Sequence, residues 1–330
     1  MRKILMRAPG APDVLELITE PDVAPGPGEI AIRARACAVG WPDILVRRGH
    51  YPWMPPLPAT LGFELSGHVE AIGANVVGLT IGQSVYLSSY DLGYSLGCYT
   101  DYAVVPASTV LAVPADVDLE QAANLGYVAL AWALLNEGGA RSPRGSILIT
   151  GAASGTGSCL VQLAKKEGAF VIGSVGSAEK IDFVKQLGAD HVINYRSSDL
   201  AANVLEVTGG AGVDLVLNHV AGATIVDSIK MLRPWGTVIM YGAIGGPAEG
   251  ELVQAQRAGF GKCAGLRFFS MHGYEEDPDG RSRILRSALE LLVRRSVRMP
   301  IAKRFPFTAA SEAHQLLESG ATCGRIVLVA

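Results

Sequence analysis

A glycine-rich turn in the middle of the chain has the residue types and spacing that bind a diphosphate. Residues 147–149 are apolar and of strand type, and this run stops at Gly151. The turn reads GAASGTG, and a helical pattern with apolar residues on one face follows it. Backbone N–H groups in such a turn approach a diphosphate closely, and the helix N-terminus adds its positive dipole end. The pattern predicts a dinucleotide-binding site formed by Ser154, Gly155, Thr156 and Gly157.

The elements that must position this turn are predicted from residue 146 onward. Short apolar runs alternate there with helical patterns, which is typical of a doubly wound parallel sheet covered on both faces. Strands are predicted over residues 146–150, 170–174, 191–194, 214–218 and 237–241. Helices are predicted over residues 178–187 and 224–232, the second ended by Pro234 and Gly236.

The two ends of the chain have a different character. Residues 1–120 are dense in proline and glycine, and short runs over 29–34, 67–72 and 84–87 indicate an all-β unit. The C-terminal segment predicts helices over 284–293 and 309–317 and a last strand over 325–329. We therefore predict an α/β fold in three segments: a β-rich unit over 1–126, a dinucleotide-binding domain over 127–270, and a return to the first unit over 271–330.

The composition of the 330-residue chain is typical of a well-packed enzyme. Hydrophobic residues make up 49% and charged residues 18%, and the net charge of −3 without a basic stripe argues against a nucleic-acid partner.

The longest mostly apolar run, residues 122–135, is too short to cross a bilayer, and the N-terminal apolar segment is too short for a signal peptide. The five cysteines form no C-x-x-C pair. We expect reduced thiols, a cytoplasmic location and no membrane partner.

Several further motifs occur together in one enzyme family. They are PGPGE ending at Glu29, AVGWPDILVRRGHY over 38–51, LGFE over 61–64, GADHVINY over 188–195 and GRIVL over 324–328. With GAASGTG, they resemble the medium-chain dehydrogenase/reductase family, in its zinc-free quinone-oxidoreductase branch of the zeta-crystallin type. The resemblance covers nearly the whole chain. It implies a GroES-like catalytic domain with an inserted NADP-binding Rossmann domain, and a homodimer paired through residues 265–271.

The positions that hold metal ligands in zinc members of this family carry other residues here. By the resemblance, Gly40 stands at the cysteine position and Phe63 at the histidine position, and Leu125-Gly126 offers no sulfur at the third. Only Cys98 lies where the structural zinc lobe has four cysteines, and His68 is a lone histidine. We predict no metal. Since zinc normally stabilises the alkoxide formed from an isolated ketone, a zinc-free enzyme is expected to reduce a quinone or an α,β-unsaturated carbonyl compound, which spreads the charge.

NADPH is the expected cofactor because the second strand ends without an acid. An Asp or Glu roughly 20 residues past the glycines usually binds the ribose hydroxyl of NAD. Here the strand ends at Ser174, Ser177 follows it, and Lys180 lies one helical turn further on. The resemblance implies that Lys180 and Tyr195 contact a 2′-phosphate. It also implies cofactor contacts from Asn218, Tyr241, Gly242, Phe269, Ser270 and Arg325.

The resemblance places the substrate pocket near residues 40–54. Relatives carry Asn and an aromatic residue where this chain has Gly40-Trp41. Trp41 supplies apolar surface and one N–H donor, Tyr51 is a candidate donor to a carbonyl oxygen, and Trp53 is expected to cover the mouth. These aromatics are equally well explained as the core of the β-rich unit. No side chain stands out as the proton donor, so we expect solvent to protonate the product.

Charged residues near the same segment have more modest predicted roles. Asp43 is expected to form a structural ion pair with Arg47 or Arg48 rather than to act in catalysis.

Three alternatives differ from this interpretation in family or in activity. The string TGAASGTG also satisfies the short-chain dehydrogenase signature, but no tyrosine has a lysine four residues on, and about 145 N-terminal residues stay unexplained, so we reject that family. A non-catalytic, crystallin-like NADPH-binding protein stays open. A trans-acting enoyl-thioester reductase also stays open, with Arg47 and Arg48 meeting a phosphopantetheine arm.

Overall fold

Two compact units make up the structure. The computed structural model describes residues 1–93, 97–139, 145–246 and 250–329. Unit 1 consists of Met1–Gly126 and Leu289–Ala330, and unit 2 consists of Tyr127–Ala288. The chain thus leaves the first unit once and returns to it at its C-terminal end.

Strands occur in both units of the described chain. They are β1 (Arg2–Met6), β2 (Leu15–Thr19), β3 (Glu29–Val39), β4 (Ala59–Thr60), β5 (Glu64–Ile72), β6 (Ser84–Ser88), β7 (Tyr102–Pro106), β8 (Val110–Ala112), β9 (Ser146–Ile149), β10 (Phe170–Val175), β11 (His191–Asn194), β12 (Val213–Asn218), β13 (Leu232–Met240), β14 (Gly265–Phe268), β15 (Ile301–Pro306) and β16 (Arg325–Val329).

The α-helices connect and cover these strands. They are α1 (Trp41–Arg47), α2 (Leu119–Ala122), α3 (Leu125–Asn136), α4 (Gly155–Lys166), α5 (Glu179–Gln186), α6 (Leu200–Val207), α7 (Thr224–Lys230), α8 (Glu251–Phe260), α9 (Pro278–Val293) and α10 (Ala310–Glu318). Short 3-10 turns occur at Pro12–Val14, Ser89–Leu92, Ala107–Thr109, Met271–Tyr274 and Phe307–Ala309. Within the described ranges, none of the helices combines the length and the apolar character that crossing a bilayer requires.

Unit 2 contains the predicted doubly wound sheet. Its six strands lie in the order β11-β10-β9-β12-β13-β14, and all neighbouring pairs are parallel. Successive residues of a strand point to opposite faces, yet Ile147, Leu148 and Ile149 are all fully buried. Both faces of the central strand are therefore covered, which explains why the strand is apolar along its whole length rather than alternating.

One predicted helix of this unit is shorter than expected. The pattern predicts a helix over 224–232, but α7 ends at Lys230 and β13 already begins at Leu232, which pairs with Val213. The strand register then shifts, and Trp235 takes a positive φ of 67° within the irregular stretch. Pro234 thus lies in an irregular strand, because sheet pairing overrides its usual role after a helix end.

Unit 1 is built on a seven-stranded sheet. Its strands lie in the order β15-β16-β3-β5-β6-β8, with β7 also paired to β3, and a separate small sheet has the order β2-β1-β4. The C-terminal strand β16 pairs antiparallel with β3, from Ile326 opposite Val39 to Val329 opposite Ala36. The return of the chain therefore supplies two strands of the first unit's own sheet.

Helix α9 is divided between the two units. The sequence places the return at residue 271, whereas the observed division falls after Ala288, inside this helix. Tyr274 and Arg283, which precede that point, bind Glu137, the unit 2 residue that follows α3: Tyr274 Oη donates to Glu137 Oε2 at 2.5 Å, and Arg283 forms an ion pair with the same carboxylate. These two contacts are long-range, so no local sequence pattern indicates them.

Candidate cofactor and substrate sites

The glycine-rich turn leads directly from β9 into α4. Ser154 caps the helix by accepting a hydrogen bond from the Gly157 amide at 3.1 Å. A Cβ atom on Gly157 would lie 2.3 Å from the carbonyl oxygen of Gly151, so only glycine allows the helix to pack this closely on the turn. The first turn of α4 contains no acidic residue. An anion placed at this helix start therefore meets backbone donors and the positive end of the helix dipole, with no opposing carboxylate from that turn.

The turn lies at the switch point of the sheet. β9 lies between β10 and β12. The chain runs from β9 to β10 and β11 on one side and then crosses to β12, β13 and β14 on the other side, so the strand order reverses at β9. In doubly wound sheets, a crevice opens at the carboxyl ends of the strands at this point, and dinucleotides bind there. The predicted diphosphate residues therefore stand at the expected edge, with β10–β11 on one side and β12–β13 on the other.

Side chains near the end of β10 form a small polar group. Ser174 is almost completely buried, and the backbone N–H of Tyr195 donates to Val175 O at 3.1 Å. A Cβ on Gly176 would lie 2.8 Å from Tyr195 Oη and 3.5 Å from Arg196 Nε. The glycine thus makes room for both side chains at the strand end.

Arg196 is a cation that the sequence reasoning missed in this region. Its position next to Tyr195 in the GADHVINY-R segment was the available signal. Lys180 lies in the first turn of α5, as predicted. The Ser177 hydroxyl donates to the Glu179 carboxylate, and this hydrogen bond is the main reason why the pKa of Glu179 is lowered. Arg196 and the Tyr195 hydroxyl therefore lie beside Gly176 at the strand end, and Lys180 follows in the first turn of α5; these group types suit a phosphate monoester.

Asn218, at the end of β12, has its side chain fully occupied. Its amide nitrogen donates to Thr224 Oγ1 and Ser228 Oγ, each at 2.9 Å. Its amide oxygen accepts from the backbone N–H groups of Val220 and Ala221 at 2.7 and 3.2 Å. The amide has two donor hydrogens and two acceptor positions, so these four bonds saturate it. The observed role of this side chain is to hold the loop between β12 and α7.

The next residue, His219, packs on the glycine-rich turn. A Cβ on Gly151 would lie only 2.2 Å from His219 Cε1. His219 Nδ1 is 2.9 Å from Thr150 Oγ1, which also accepts from the His219 backbone N–H at 3.2 Å. Burial lowers the pKa of His219 to about 4, so the imidazole is neutral near pH 7.

Tyr241, after β13, lies beside this histidine. The ring centroids of His219 and Tyr241 are 6.0 Å apart. Tyr241 Oη is buried and has no hydrogen-bond partner among the described residues, and burial raises the pKa of its hydroxyl. A Cβ on Gly242 would lie 2.6 Å from His219 O, so this glycine allows close approach of the two strand ends.

The remaining predicted cofactor residues lie in different places. Phe269 follows β14, and its N–H donates to Met240 O at 2.8 Å. Ser270 caps the short turn after it by accepting from the His272 N–H at 3.2 Å. Arg325 belongs to unit 1, where its guanidinium is buried and donates to Asn124 Oδ1 at 2.9 Å. The structure therefore brings together most of the predicted cofactor residues in unit 2 and engages Arg325 within unit 1.

An aromatic cluster in unit 1 contains two of the predicted pocket residues. The Tyr51 ring centroid lies 5.6 Å from that of Trp53 and 5.4 Å from that of Phe63, and Phe63 lies 5.7 Å from Tyr90. Tyr51 and Tyr90 hydroxyl oxygens are 3.3 Å apart. Tyr51 is part of the unit's buried core, whereas Trp53 is 43% exposed. The cluster thus extends from the core to the surface, and the role of these aromatics in a substrate pocket stays a prediction.

Trp41 begins α1 immediately after Gly40. Its indole Nε1 is buried and has no hydrogen-bond partner within the described part of the chain. Asp43 closes the helix start by accepting from the Gly40 N–H at 2.7 Å. Burial raises the pKa of Asp43 to about 7, against the lowering effect of this hydrogen bond.

The expected ion pair between Asp43 and Arg47 or Arg48 is wrong. Both arginines instead bind Glu318 at the end of α10, at 2.5 and 2.6 Å. The reason is direction, because Asp43 turns back to the N-terminus of α1 while the arginines leave its C-terminal end. Arg47 is almost completely buried, so in this structure it is not available to a phosphopantetheine arm.

The three positions that hold ligands in zinc members carry no ligand side chain. Phe63 belongs to the aromatic cluster, and Gly40 is the N-cap of α1, directly after β3. A Cβ on Gly126 would lie 1.8 Å from Glu64 Oε1, so a larger residue there would require Glu64 to move. Within the four described ranges, no three His, Cys, Asp or Glu residues are grouped so that they could hold a metal ion.

These features define a dinucleotide-binding protein with a doubly wound domain and a β-rich unit, and comparison with known proteins specifies the family. Residues 26–115 match the alcohol dehydrogenase GroES-like domain, and residues 187–328 match the model described as zinc-binding dehydrogenase. A 2-haloacrylate reductase from a Burkholderia species is 33% identical over 93% of this chain and 92% of its own length. A quinone oxidoreductase from Pseudomonas aeruginosa is 31% identical over 99% of each chain. The crystal structure of Escherichia coli quinone oxidoreductase complexed with NADPH superposes with a TM-score of 0.89 at 29% identity, covering 100% of both chains.

The chain belongs to the medium-chain dehydrogenase/reductase superfamily, in its zinc-free quinone-oxidoreductase-like branch. The predictions of this family, of a Rossmann domain with a GroES-like domain, and of an oxidoreductase are confirmed. The NADPH in the E. coli structure agrees with the predicted cofactor. The homodimer, the cytoplasmic location and the roles of individual site residues stay predictions.

Proposed function

We propose that the chain uses NADPH to reduce a conjugated acceptor, either a quinone or an α,β-unsaturated carbonyl compound. The relatives named quinone oxidoreductase and 2-haloacrylate reductase support this class, since a quinone and an acrylate both contain a C=C bond conjugated to a carbonyl group. The observation that carries the proposal is the place of Phe63. At the position where zinc members have a histidine ligand, this chain has an aromatic ring packed between Tyr51 and Tyr90.

The chemistry follows from what such a site offers. An isolated ketone that accepts hydride concentrates negative charge on one oxygen, which needs a metal ion or strong donors. A conjugated acceptor distributes the charge over an enolate or a hydroquinone anion, so neutral donors suffice. NADPH, when bound, supplies the hydride from its dihydronicotinamide ring. Aromatic faces at Tyr51, Phe63 and Tyr90 are suited to a planar acceptor, because offset and edge contacts between rings are favourable.

Trp41 is the proposed hydrogen-bond donor to the acceptor. Its buried Nε1–H has no partner among the described residues, and an unsatisfied buried donor costs about 1–3 kcal/mol. A carbonyl oxygen of the acceptor would relieve that cost and would be stabilised as its charge grows. The final proton comes from solvent, since no described side chain of unit 1 stands out as an acid for this step.

The test is a screen of NADPH oxidation with quinones, enals, enones, enoyl thioesters and simple ketones, with NADH in parallel. We expect turnover with the first three classes, insensitive to a metal chelator, and a drop of about 5- to 10-fold in kcat/KM for Trp41→Phe, which keeps the ring and removes the donor. Arg7→Ala, a change at an exposed ion pair of the same unit, is the matched control and should leave kcat/KM unchanged.

Three results would contradict the proposal, each in a different way. Brisk oxidation of a simple alcohol together with one bound zinc ion per chain would remove its chemical basis. Turnover restricted to enoyl thioesters would support the thioester reductase. Tight NADPH binding without turnover of any acceptor would support the non-catalytic alternative.

A further inference from the structure

We propose that Tyr99 and His314 are positioning residues of the proposed substrate pocket, which hold the segments that carry Trp41 and Phe63 in place. The inference rests on the proposed function, because the pocket and the donor role of Trp41 belong to that proposal. Tyr99 and His314 are both fully buried in unit 1 and lie outside the aromatic cluster. They are 215 positions apart in the chain, so only the folded structure brings them together.

The Tyr99 ring lies directly against the segment that carries Phe63. A Cβ on Gly62 would lie 2.4 Å from Tyr99 Cδ1, and Gly62 has a positive φ of 100°, so this position requires glycine. The two backbones are also joined, since the Tyr99 N–H donates to Leu61 O at 2.7 Å and the Cys98 N–H donates to Gly62 O at 2.9 Å. Tyr99 therefore supports the backbone from which the Phe63 ring enters the aromatic cluster.

The Tyr99 hydroxyl reaches the second pocket segment through Asp43. Burial raises the pKa of Asp43 to about 7, and a hydrogen bond from the Tyr99 side chain acts in the opposite direction. A hydrogen bond that lowers the pKa of a carboxyl group stabilises the carboxylate, so the hydroxyl is the donor. The same carboxylate accepts from the Gly40 N–H at 2.7 Å, at the start of α1. Because Trp41 follows Gly40 directly, the position of Asp43 affects where the indole lies.

His314 holds the Tyr99 hydroxyl from the other side. His314 Nε2 is 3.2 Å from Tyr99 Oη, and the two ring centroids are 5.8 Å apart in an edge arrangement. A phenol has one proton to donate, and since Asp43 receives it, His314 Nε2 carries the hydrogen that Tyr99 accepts. Burial, with the charge of Arg47, lowers the pKa of His314 to about 3, so the imidazole is neutral near pH 7. The direction of both hydrogen bonds is therefore fixed.

A second link keeps α10 aligned with α1. Asp43 and Arg47 are four residues apart on α1, and His314 and Glu318 are four residues apart on α10, so each pair lies on one face of its helix. Arg47 Nη2 donates to Glu318 Oε1 at 2.5 Å. Two polar links thus join the helices one turn apart, one directly and one through Tyr99. The link through Tyr99 is the one at the start of α1.

The test compares variants that keep the approximate volume of these side chains. Tyr99→Phe keeps the ring on Gly62 and removes the hydroxyl, and His314→Leu removes the nitrogen that contacts it. We expect each variant to lower kcat/KM about 3- to 10-fold for para-benzoquinone or crotonaldehyde, whichever wild type reduces, and not beyond the loss in Trp41→Phe. The KM for NADPH should stay within about twofold of wild type, because the cofactor turn belongs to unit 2.

Two control variants show whether the polar contact is responsible. His314→Gln retains an N–H group that can donate to Tyr99, so its kcat/KM should stay within about twofold of wild type. Gln315→Ala changes an exposed residue beside His314 on the same helix and should also leave kcat/KM unchanged.

Two further measurements separate positioning from a general loss of structure. In a double-mutant cycle, Tyr99→Phe should lower kcat/KM by less than about twofold in a Trp41→Phe background, because the donor that it positions is already absent. The emission of Trp41 in the free protein is the difference between each protein and its Trp41→Phe counterpart. It should shift to longer wavelength in Tyr99→Phe and His314→Leu, since a displaced indole becomes hydrated, and should not shift in His314→Gln.

Several outcomes overturn the inference. They are unchanged kcat/KM in both variants, an equal loss with and without Trp41, an unshifted Trp41 emission, or a loss in His314→Gln as large as in His314→Leu. Tyr99→Phe decides alone if His314→Leu does not fold. Failure of the proposed function is a separate result: if wild type reduces no acceptor, that proposal fails, and the emission measurement still decides whether Tyr99 and His314 position Trp41.

Discussion

The preference for NADPH over NADH should depend on the cations at the end of β10. Lys180 lies in the first turn of α5, and Arg196 Nε lies near Gly176 together with Tyr195 Oη. A phosphate monoester carries between one and two negative charges near pH 7. NADH has no group at this position, so removing a cation should weaken NADPH and leave NADH unchanged.

The size of the effect follows from the exposure of these groups. At about 5 Å in water, a unit cation and a doubly charged phosphate attract by about 1.7 kcal/mol, and a lower local dielectric constant increases this value. Arg196 is exposed and Lys180 is partly exposed, so the aqueous value is the appropriate starting point for both. We therefore expect Lys180→Ala and Arg196→Ala each to raise the KM for NADPH about tenfold. The double variant should raise it by about 30- to 100-fold, since both cations act on one phosphate.

The assay is steady-state turnover with both cofactors and one good acceptor, at low and at high salt. Lys185→Ala is the matched control, because Lys185 is an exposed lysine in the last turn of the same helix. It should change neither KM. Added salt should reduce the wild-type preference for NADPH, because exposed charges are screened. Equal losses for NADH and NADPH in Lys180→Ala, or the same loss in Lys185→Ala, would refute the reasoning.

Three further predictions concern backbone, charge and pH. Gly157→Ala places a Cβ 2.3 Å from Gly151 O, so we expect at least a tenfold loss of NADPH affinity in calorimetry and about 1–3 kcal/mol less stability in urea unfolding. Glu318→Gln leaves the buried Arg47 without its counter-charge and should lower the free energy of unfolding by about 3–5 kcal/mol in the same assay. Arg48→Ala changes a half-exposed partner of the same carboxylate and should lower it by less than about 1 kcal/mol. Similar losses of stability in the two variants would contradict this explanation. Burial, with the charge of Arg47, lowers the pKa of His314 to about 3, so the unfolded chain binds a proton below pH 6.5 that the folded chain does not. The free energy of unfolding should therefore fall by about 1.4 kcal/mol for each pH unit below 6.5. His314→Gln should lack this pH dependence relative to wild type.

Much of the nucleotide-binding domain could be predicted because its signals are local. A strand, a glycine-rich turn and a helix follow one another within about 20 residues, and Gly157 is required by its close contact with Gly151 O. The lack of an Asp or Glu after Ser174, from which NADPH was predicted, was also a local feature of the sequence. The apolar strands could be predicted because both faces of the sheet are covered. The strands β11 and β16 have the predicted bounds.

The limits of prediction lie where distant residues decide the role of a side chain. The partner of Arg47 and Arg48 is Glu318, far along the chain, so proximity in sequence suggested Asp43 instead. The early start of β13 depends on pairing of Leu232 with Val213, which a helical pattern over 224–232 conceals.

The sequence by itself determined the fold class, the dinucleotide-binding turn and the absence of ligand side chains at the family's zinc positions, because each depends on residue type at a fixed local spacing. Only the tertiary structure decided that Asn218 is saturated by its own loop, that Phe63 packs between Tyr51 and Tyr90, and that His219 lies against the glycine-rich turn beside the buried Tyr241 hydroxyl. Hydrogen-bond saturation and burial are properties of neighbours brought together by the sheet order. No pattern along a single strand encodes them.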